Sequence, residues 1–106
     1  MLKSLLESGH ILASCPITVA EVHAGMRKHE ETPTQSLLDS LHYLPITREV
    51  AAAAGGLRRH CRARGKQLSL ADTMLAAVAI DYDCILVTAN SKDFPMPEVR
   101  LMKSGE

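Results

Sequence analysis

Three carboxylates carry the chemistry that this 106-residue sequence could perform. Glu21 follows the apolar run ILASCPI at 11–17, and Asp72 lies one turn into the run LADTMLAAVAID at 70–81. Asp93 lies just past the run CILVT at 84–88, close to Asn90 and Ser91. Three such acids converging without a nearby Lys or Arg repel unless a cation sits among them. Hard oxygen ligands of this type suit Mg2+ or Mn2+, which keep several waters and share coordination with a substrate phosphate. Each acid also has a purely structural explanation. Thr18-Val-Ala-Glu21 fits the capping box S/T-x-x-E, and Ser69-Leu-Ala-Asp72 resembles it with a shorter acid, each worth only ~1 kcal/mol of helix-end stability. Asp93 alone reads as a solvated loop residue. A cap and a ligand are not exclusive, so the acids by themselves leave both readings open.

The elements that must position these acids follow from the hydrophobic pattern. Residues 2–8 read as a short helix ended by Gly9, and 11–17 as a buried strand interrupted by Pro16. Thr18 opens a helix to about Lys28, and residues 35–42 form another after the Thr-Pro-Thr loop at 32–34. A short strand spans 43–46. Thr47 then reads as the N-cap of a helix reaching about Arg64, closed by Gly65. That helix contains Gly55-Gly56, each costing ~1 kcal/mol against Ala, so either it bends there or something packs closely on it. A helix at 70–81, a strand at 84–88 and a final strand at 99–102 complete the chain. Strands alternating with helices predict an α/β fold with a mainly parallel sheet flanked by helices. Ligands in such sheets sit beyond the carboxyl ends of the strands, where Glu21 and the 90–93 segment fall and where Asp72 joins them if its helix begins at that edge.

Composition narrows the function classes. With 46% hydrophobic and 23% charged residues, and a formal net charge of zero, the sequence describes one globular domain over 1–106. No apolar run approaches the ~20 residues of a spanning helix, so no membrane partner is expected. Zero net charge argues against a generic nucleic-acid coat, but residues 58–66, RRHCRARGK, concentrate Arg58, Arg59, Arg62, Arg64 and Lys66. That stretch is either an RNA-backbone contact or a solvated helix end with its cations at the favourable terminus. Cys15, Cys61 and Cys84 form no C-x-x-C pair and read as free thiols of a reducing, cytoplasmic compartment. The five histidines show no metal-ligand spacing. Phe94 reads as a core plug rather than a base-stacking residue.

Three stretches in order resemble the PIN-domain ribonucleases, especially the VapC-type toxins of toxin–antitoxin pairs: SCPITVAEVHAG at 14–25, SLADTMLAAVAI at 69–80 and ILVTANSKDF at 85–94. The resemblance covers roughly residues 5–102. It implies a three-layer PIN-like fold and a divalent-metal-dependent endoribonuclease using Mg2+ or Mn2+. Glu21 and Asp72 would hold the metal, Asp93 and Asn90 would position metal-bound water or a second ion, and Thr88 and Ser91 would support the site. A cognate antitoxin and a homodimer are implied likewise. In the family the first acid sits in a central N-terminal strand, ahead of the first helix, and this sequence shows no such strand. The expectation is therefore a sheet lacking that strand, from a start placed too late or from a truncated remnant. In the second case the chain would act as an antitoxin- or RNA-binding module rather than as an enzyme.

Overall fold

Two helix starts are written plainly in the sequence. In the computed structural model, which describes residues 13–88 and 91–103, both appear where those residues place them. The four helices are α1 (Pro16–Gly25), α2 (Glu31–Ser40), α3 (Arg48–Ala63) and α4 (Leu70–Asp81). The four strands are β1 (Ala13–Ser14), β2 (His42–Tyr43), β3 (Ile85–Thr88) and β4 (Arg100–Lys103). The Thr47 hydroxyl accepts the Val50 N–H at 3.1 Å and starts α3, and the Ser69 hydroxyl accepts the Asp72 N–H at 3.0 Å and starts α4.

The chain divides into two compact units, Met1–Pro45 and Ile46–Glu106. The second is the better determined by its sequence. Helix α3 ends in a Schellman turn: the Gly65 N–H reaches the Arg62 carbonyl and the Lys66 N–H the Cys61 carbonyl, with Gly65 at φ +80°. The same turn ends α4, where the Cys84 N–H reaches the Ala79 carbonyl and the Asp83 N–H the Ile80 carbonyl. Here Asp83 takes the left-handed position at φ 53°, which Asp tolerates better than most residues. Arg100 latches this turn to β4, donating at 2.8 Å to both the Asp83 carboxylate and its carbonyl. Cys61, Ala76, Ala79, Phe94, Met96 and Val99 form the buried cluster of this unit, with Leu57, Leu75 and Leu86 packed against it. Small residues on α4 let the aromatic ring and the Met and Val of the 94–99 segment fill the interior at close range. Strand β3 pairs with β4 in parallel, with Leu86 opposite Leu101.

In the first unit β1 pairs with β2, also in parallel, with Ala13 opposite His42. Among the described residues, then, the strands form two parallel pairs rather than one continuous sheet. The α/β expectation with parallel pairing holds.

Several boundaries differ from the sequence reading: the expected strand 43–46 appears as His42–Tyr43 and the expected helix 35–42 ends at Ser40, and the larger differences have a local cause. Helix α1 starts at Pro16 rather than Thr18, because proline's fixed φ and missing N–H suit the first helical position and Cys15 supplies the extended N-cap. The expected strand 11–17 therefore ends at Ser14. Helix α1 ends at Gly25, Met26 is extended, and Lys28–Glu30 form one 3-10 turn. The Thr-Pro-Thr segment at 32–34 is not a loop but the first turn of α2, where Pro33 forfeits no intrahelical hydrogen bond. The expected helix 2–8 lies outside the described residues.

Around Gly55-Gly56 helix α3 is unbroken. A Cβ added at Gly55 would meet nothing within 4 Å, and one at Gly56 only the tip of Arg59, 3.9 Å away. Neither glycine is explained by close packing against the described residues.

Candidate functional site

Asp72 is the candidate acid with the most defined setting. It lies in the first turn of α4, half-buried, and its backbone N–H, not its carboxylate, makes the hydrogen bond to Ser69. The capping box suggested by Ser69-Leu-Ala-Asp72 is thus only half made. The Ser69 hydroxyl serves the helix, and the carboxylate is left free among the described residues. The next residue, Thr73, is fully buried, and its hydroxyl donates to the Leu70 carbonyl at 2.8 Å. That bond and the buried Ala76–Ala79 run fix the orientation of this end of the helix.

Asp93 closes the 3-10 turn Ser91–Asp93 just past β3 and is half-buried. Its position is pinned by the next residues, since Phe94 and Met96 are each 5% exposed. Met96 and Val99 share this anchoring; the sequence reading gives Val99 only as the start of the final strand and assigns Met96 no role. The signal for them is the apolar spacing Phe94, Met96, Val99 within an otherwise polar loop. Helix α4 passes through the three-residue turn 82–84 directly into β3 and packs against that strand, so helix and strand run in opposite directions. This brings the first turn of α4 and the segment following β3 to the same end of the second unit. Asp72 and Asp93 therefore both lie toward that end. Thr88 is the last residue of β3, in register with Lys103, and Ser91 begins the 3-10 turn. Asn90 lies outside the described residues.

Glu21 lies on α1 in the first unit and is exposed. Because the helix starts at Pro16, Glu21 stands beyond the first turn, and Thr18 is not the N-cap. The Thr18 hydroxyl lies 3.6 Å from the Cys15 thiol instead. The capping explanation for Glu21 therefore fails on geometry, and its carboxylate has no hydrogen-bond partner among the described residues.

Among the described residues, no three His, Cys, Asp or Glu side chains are gathered into a metal-holding cluster. The donor chemistry nonetheless fits a hard divalent ion. Mg2+ is usually held by one or two protein carboxylates, with water and a phosphate completing its shell, rather than by an all-protein cage. Asp72 offers a carboxylate that the fold does not consume.

The basic stretch separates into two kinds of residue. Arg58 is half-buried and its Nε donates to the Leu68 carbonyl at 3.0 Å, tying α3 to the loop before α4. Arg59, Arg62, Arg64 and Lys66 are exposed. Among the described residues no helix is long and apolar enough to cross a membrane.

Comparison with known proteins gives one consistent answer. The PIN domain family matches residues 2–97. The chain is 28% identical over 96 residues to ribonuclease VapC19 of Mycobacterium tuberculosis, covering 91% of this chain and 77% of that protein. It is 36% identical over 87 residues to ribonuclease VapC10 of the same organism, covering 82% of this chain and 65% of that one. Among solved structures, a toxin–antitoxin complex from Klebsiella pneumoniae contains a chain of similar fold, with a TM-score of 0.75 at 31% identity. That similarity covers 92% of this chain and 79% of the other.

Proposed function

Since this chain belongs to the PIN-domain family, we propose that it is a VapC-type toxin that hydrolyses RNA phosphodiester bonds with the aid of Mg2+ or Mn2+. The observation that carries this reading is the half-made cap at α4. An acid stands where a capping acid would, at the sheet end where ligands bind in α/β folds, and the helix does not use it. Glu21, equally free of a structural task, is the second proposed metal ligand, and Asp93 the third.

When bound, the ion supplies a Lewis acid for the phosphate and a bound water acidic enough to attack at neutral pH. The chain's own residues supply position. Ser69 and Thr73 hold the first turn of α4, which presents Asp72. Phe94 and Met96 hold the turn that presents Asp93, and Thr88, Asn90 and Ser91 are the proposed polar neighbours of the site. Exposed Arg59, Arg62, Arg64 and Lys66 are proposed to track the RNA backbone by neutralising phosphates. Arg58, engaged with Leu68, contributes charge with less freedom to reorient. A cognate antitoxin is the proposed protein partner, supported by the toxin–antitoxin complex among the similar structures, and a homodimer in the cytoplasm is the proposed state.

The test is cleavage of single-stranded RNA by the chain with Mg2+ or Mn2+, with EDTA, and as Glu21→Gln. Cleavage should require the metal. Glu21→Gln should lower the rate roughly a hundredfold, the scale of losing one electrostatic stabiliser of a transition state. Because Glu21 caps nothing, its melting temperature should not change. Cleavage that persists in EDTA would overturn the metal assignment.

A further inference from the structure

Helix α1, which carries Glu21, buries none of its own residues. Its entry is moored, because Ser14 and Cys15 just ahead of it are buried. Its far end is held differently. His23 Nε2 lies 3.0 Å from Gln35 Oε1 on α2, and Gln35 Nε2 donates to Asp39 Oδ1 at 2.7 Å. The direction of this chain follows from its last member. A carboxylate only accepts, so the Gln35 amide nitrogen faces Asp39, its carbonyl faces His23, and the His23 Nε2 carries the proton. Helix α2 is the firmer of the two helices, since Leu38 is buried and β2, which follows it, pairs with β1. Between the helices the backbone turns tightly, the Glu30 carboxylate accepting the Arg27 N–H at 2.7 Å.

His23, Gln35 and Asp39 are all exposed, so this chain adds little to the core. What it fixes is rotation. Residues two apart on a helix point roughly 200° apart around its axis, so holding the His23 side of α1 against α2 turns Glu21 to the opposite side. Glu21 has no hydrogen bond of its own to set its direction. We propose that the His23–Gln35–Asp39 chain positions Glu21, holding α1 at the rotation that presents this carboxylate to a divalent ion. Gln35, the middle member, is the positioning residue, because its one amide makes both bonds. The role toward the ion rests on the nuclease reading above, whereas the hold on α1 does not.

The test uses the full chain as Gln35→Leu, which keeps a strong helix former at an exposed helical position and deletes both bonds. Without metal, deuterium exchange across 20–25 should quicken roughly three- to tenfold, the scale of one net hydrogen bond, while 70–81 exchanges as before. Mn2+ binding, followed by the spin resonance of the free ion, should weaken by a similar factor. In a Glu21→Gln chain the same substitution should weaken Mn2+ binding no further, because a residue that acts through Glu21 has nothing left to position. Gln35→Glu combined with Asp39→Asn should restore both readouts, since the introduced carboxylate accepts from His23 and from the introduced amide. Gln35→Glu alone sets two carboxylates against each other and should not. Unchanged exchange in Gln35→Leu would overturn the hold on α1. Unchanged Mn2+ affinity, or a loss equally large with and without the Glu21 carboxylate, would overturn the positioning role. A wild-type chain that binds no Mn2+ and cleaves no RNA would overturn the nuclease reading, and the positioning role with it, while the exchange rates would still decide the hold on α1.

Discussion

Asp72→Asn is expected to lower RNA cleavage by roughly a thousandfold while leaving the fold in place. Asn keeps the shape and the backbone N–H that Ser69 caps, so the hydrogen bond starting α4 survives. What is lost is a negative charge in the first turn of a helix, worth at most ~1 kcal/mol to stability. For a chain of about this size, that is a fall in melting temperature of no more than about 4–8 °C. Parallel measurement of cleavage and thermal unfolding separates the roles. If activity and melting temperature fall together, with the mutant largely unfolded, the acid is structural. Ser69→Ala makes the reciprocal control, because it removes the cap and keeps the carboxylate. It should cost ~1 kcal/mol of stability and retain cleavage at temperatures where the chain is folded.

Phe94→Ala is expected to destabilise the second unit by ~3–5 kcal/mol, the range for deleting a buried aromatic side chain. The ring is 5% exposed and packs in the cluster of Cys61, Ala76, Ala79, Met96 and Val99. Small Ala residues on α4 offer nothing that could move in to fill the space. Against a stability of about 10 kcal/mol, the middle of the usual ~5–15 kcal/mol for a domain, this is a large fraction, so the urea midpoint should drop by roughly a third to a half. Phe94→Leu, which keeps most of the volume, should cost less than about 1.5 kcal/mol. A loss below ~1 kcal/mol for the Ala variant, measured by urea titration, would show that the ring is not the plug of this cluster.

How much was legible in the sequence depends on how local the determining signal is. Helices α3 and α4 appear within a residue or so of their expected limits because Thr47, Ser69 and Gly65 act on their own backbone neighbours. The run CILVT announces β3 for a similar reason, being continuously apolar and bounded by turn residues. The start of α1 was misplaced because two valid signals compete within three residues, and the proline at the first helical position prevails over the threonine cap. The same holds at 32–34, where a proline that usually marks a loop sits in the one helical turn that tolerates it. The carboxylates are legible as candidates, but their freedom from the helix caps is not readable from the letters alone. Ser69-Leu-Ala-Asp72 has the letters of a reciprocal box, and only the placed atoms show that one half is unmade. The burial of Met96 and Val99 is not legible, because it depends on α3 and α4, which the loop sequence does not mention.

Two of the candidate acids ride on helices of very different firmness. Helix α1, which carries Glu21, has no buried residue, whereas α4, which carries Asp72, buries Thr73, Ala76, Ala77, Val78 and Ala79. Local opening of α1 therefore exposes little apolar surface and breaks few contacts, while opening α4 dismantles a core. Deuterium exchange should record this as an early loss of protection across 16–25 and a late one across 70–81. A gap of ~3 kcal/mol in opening free energy would appear as roughly a hundredfold ratio in exchange rate.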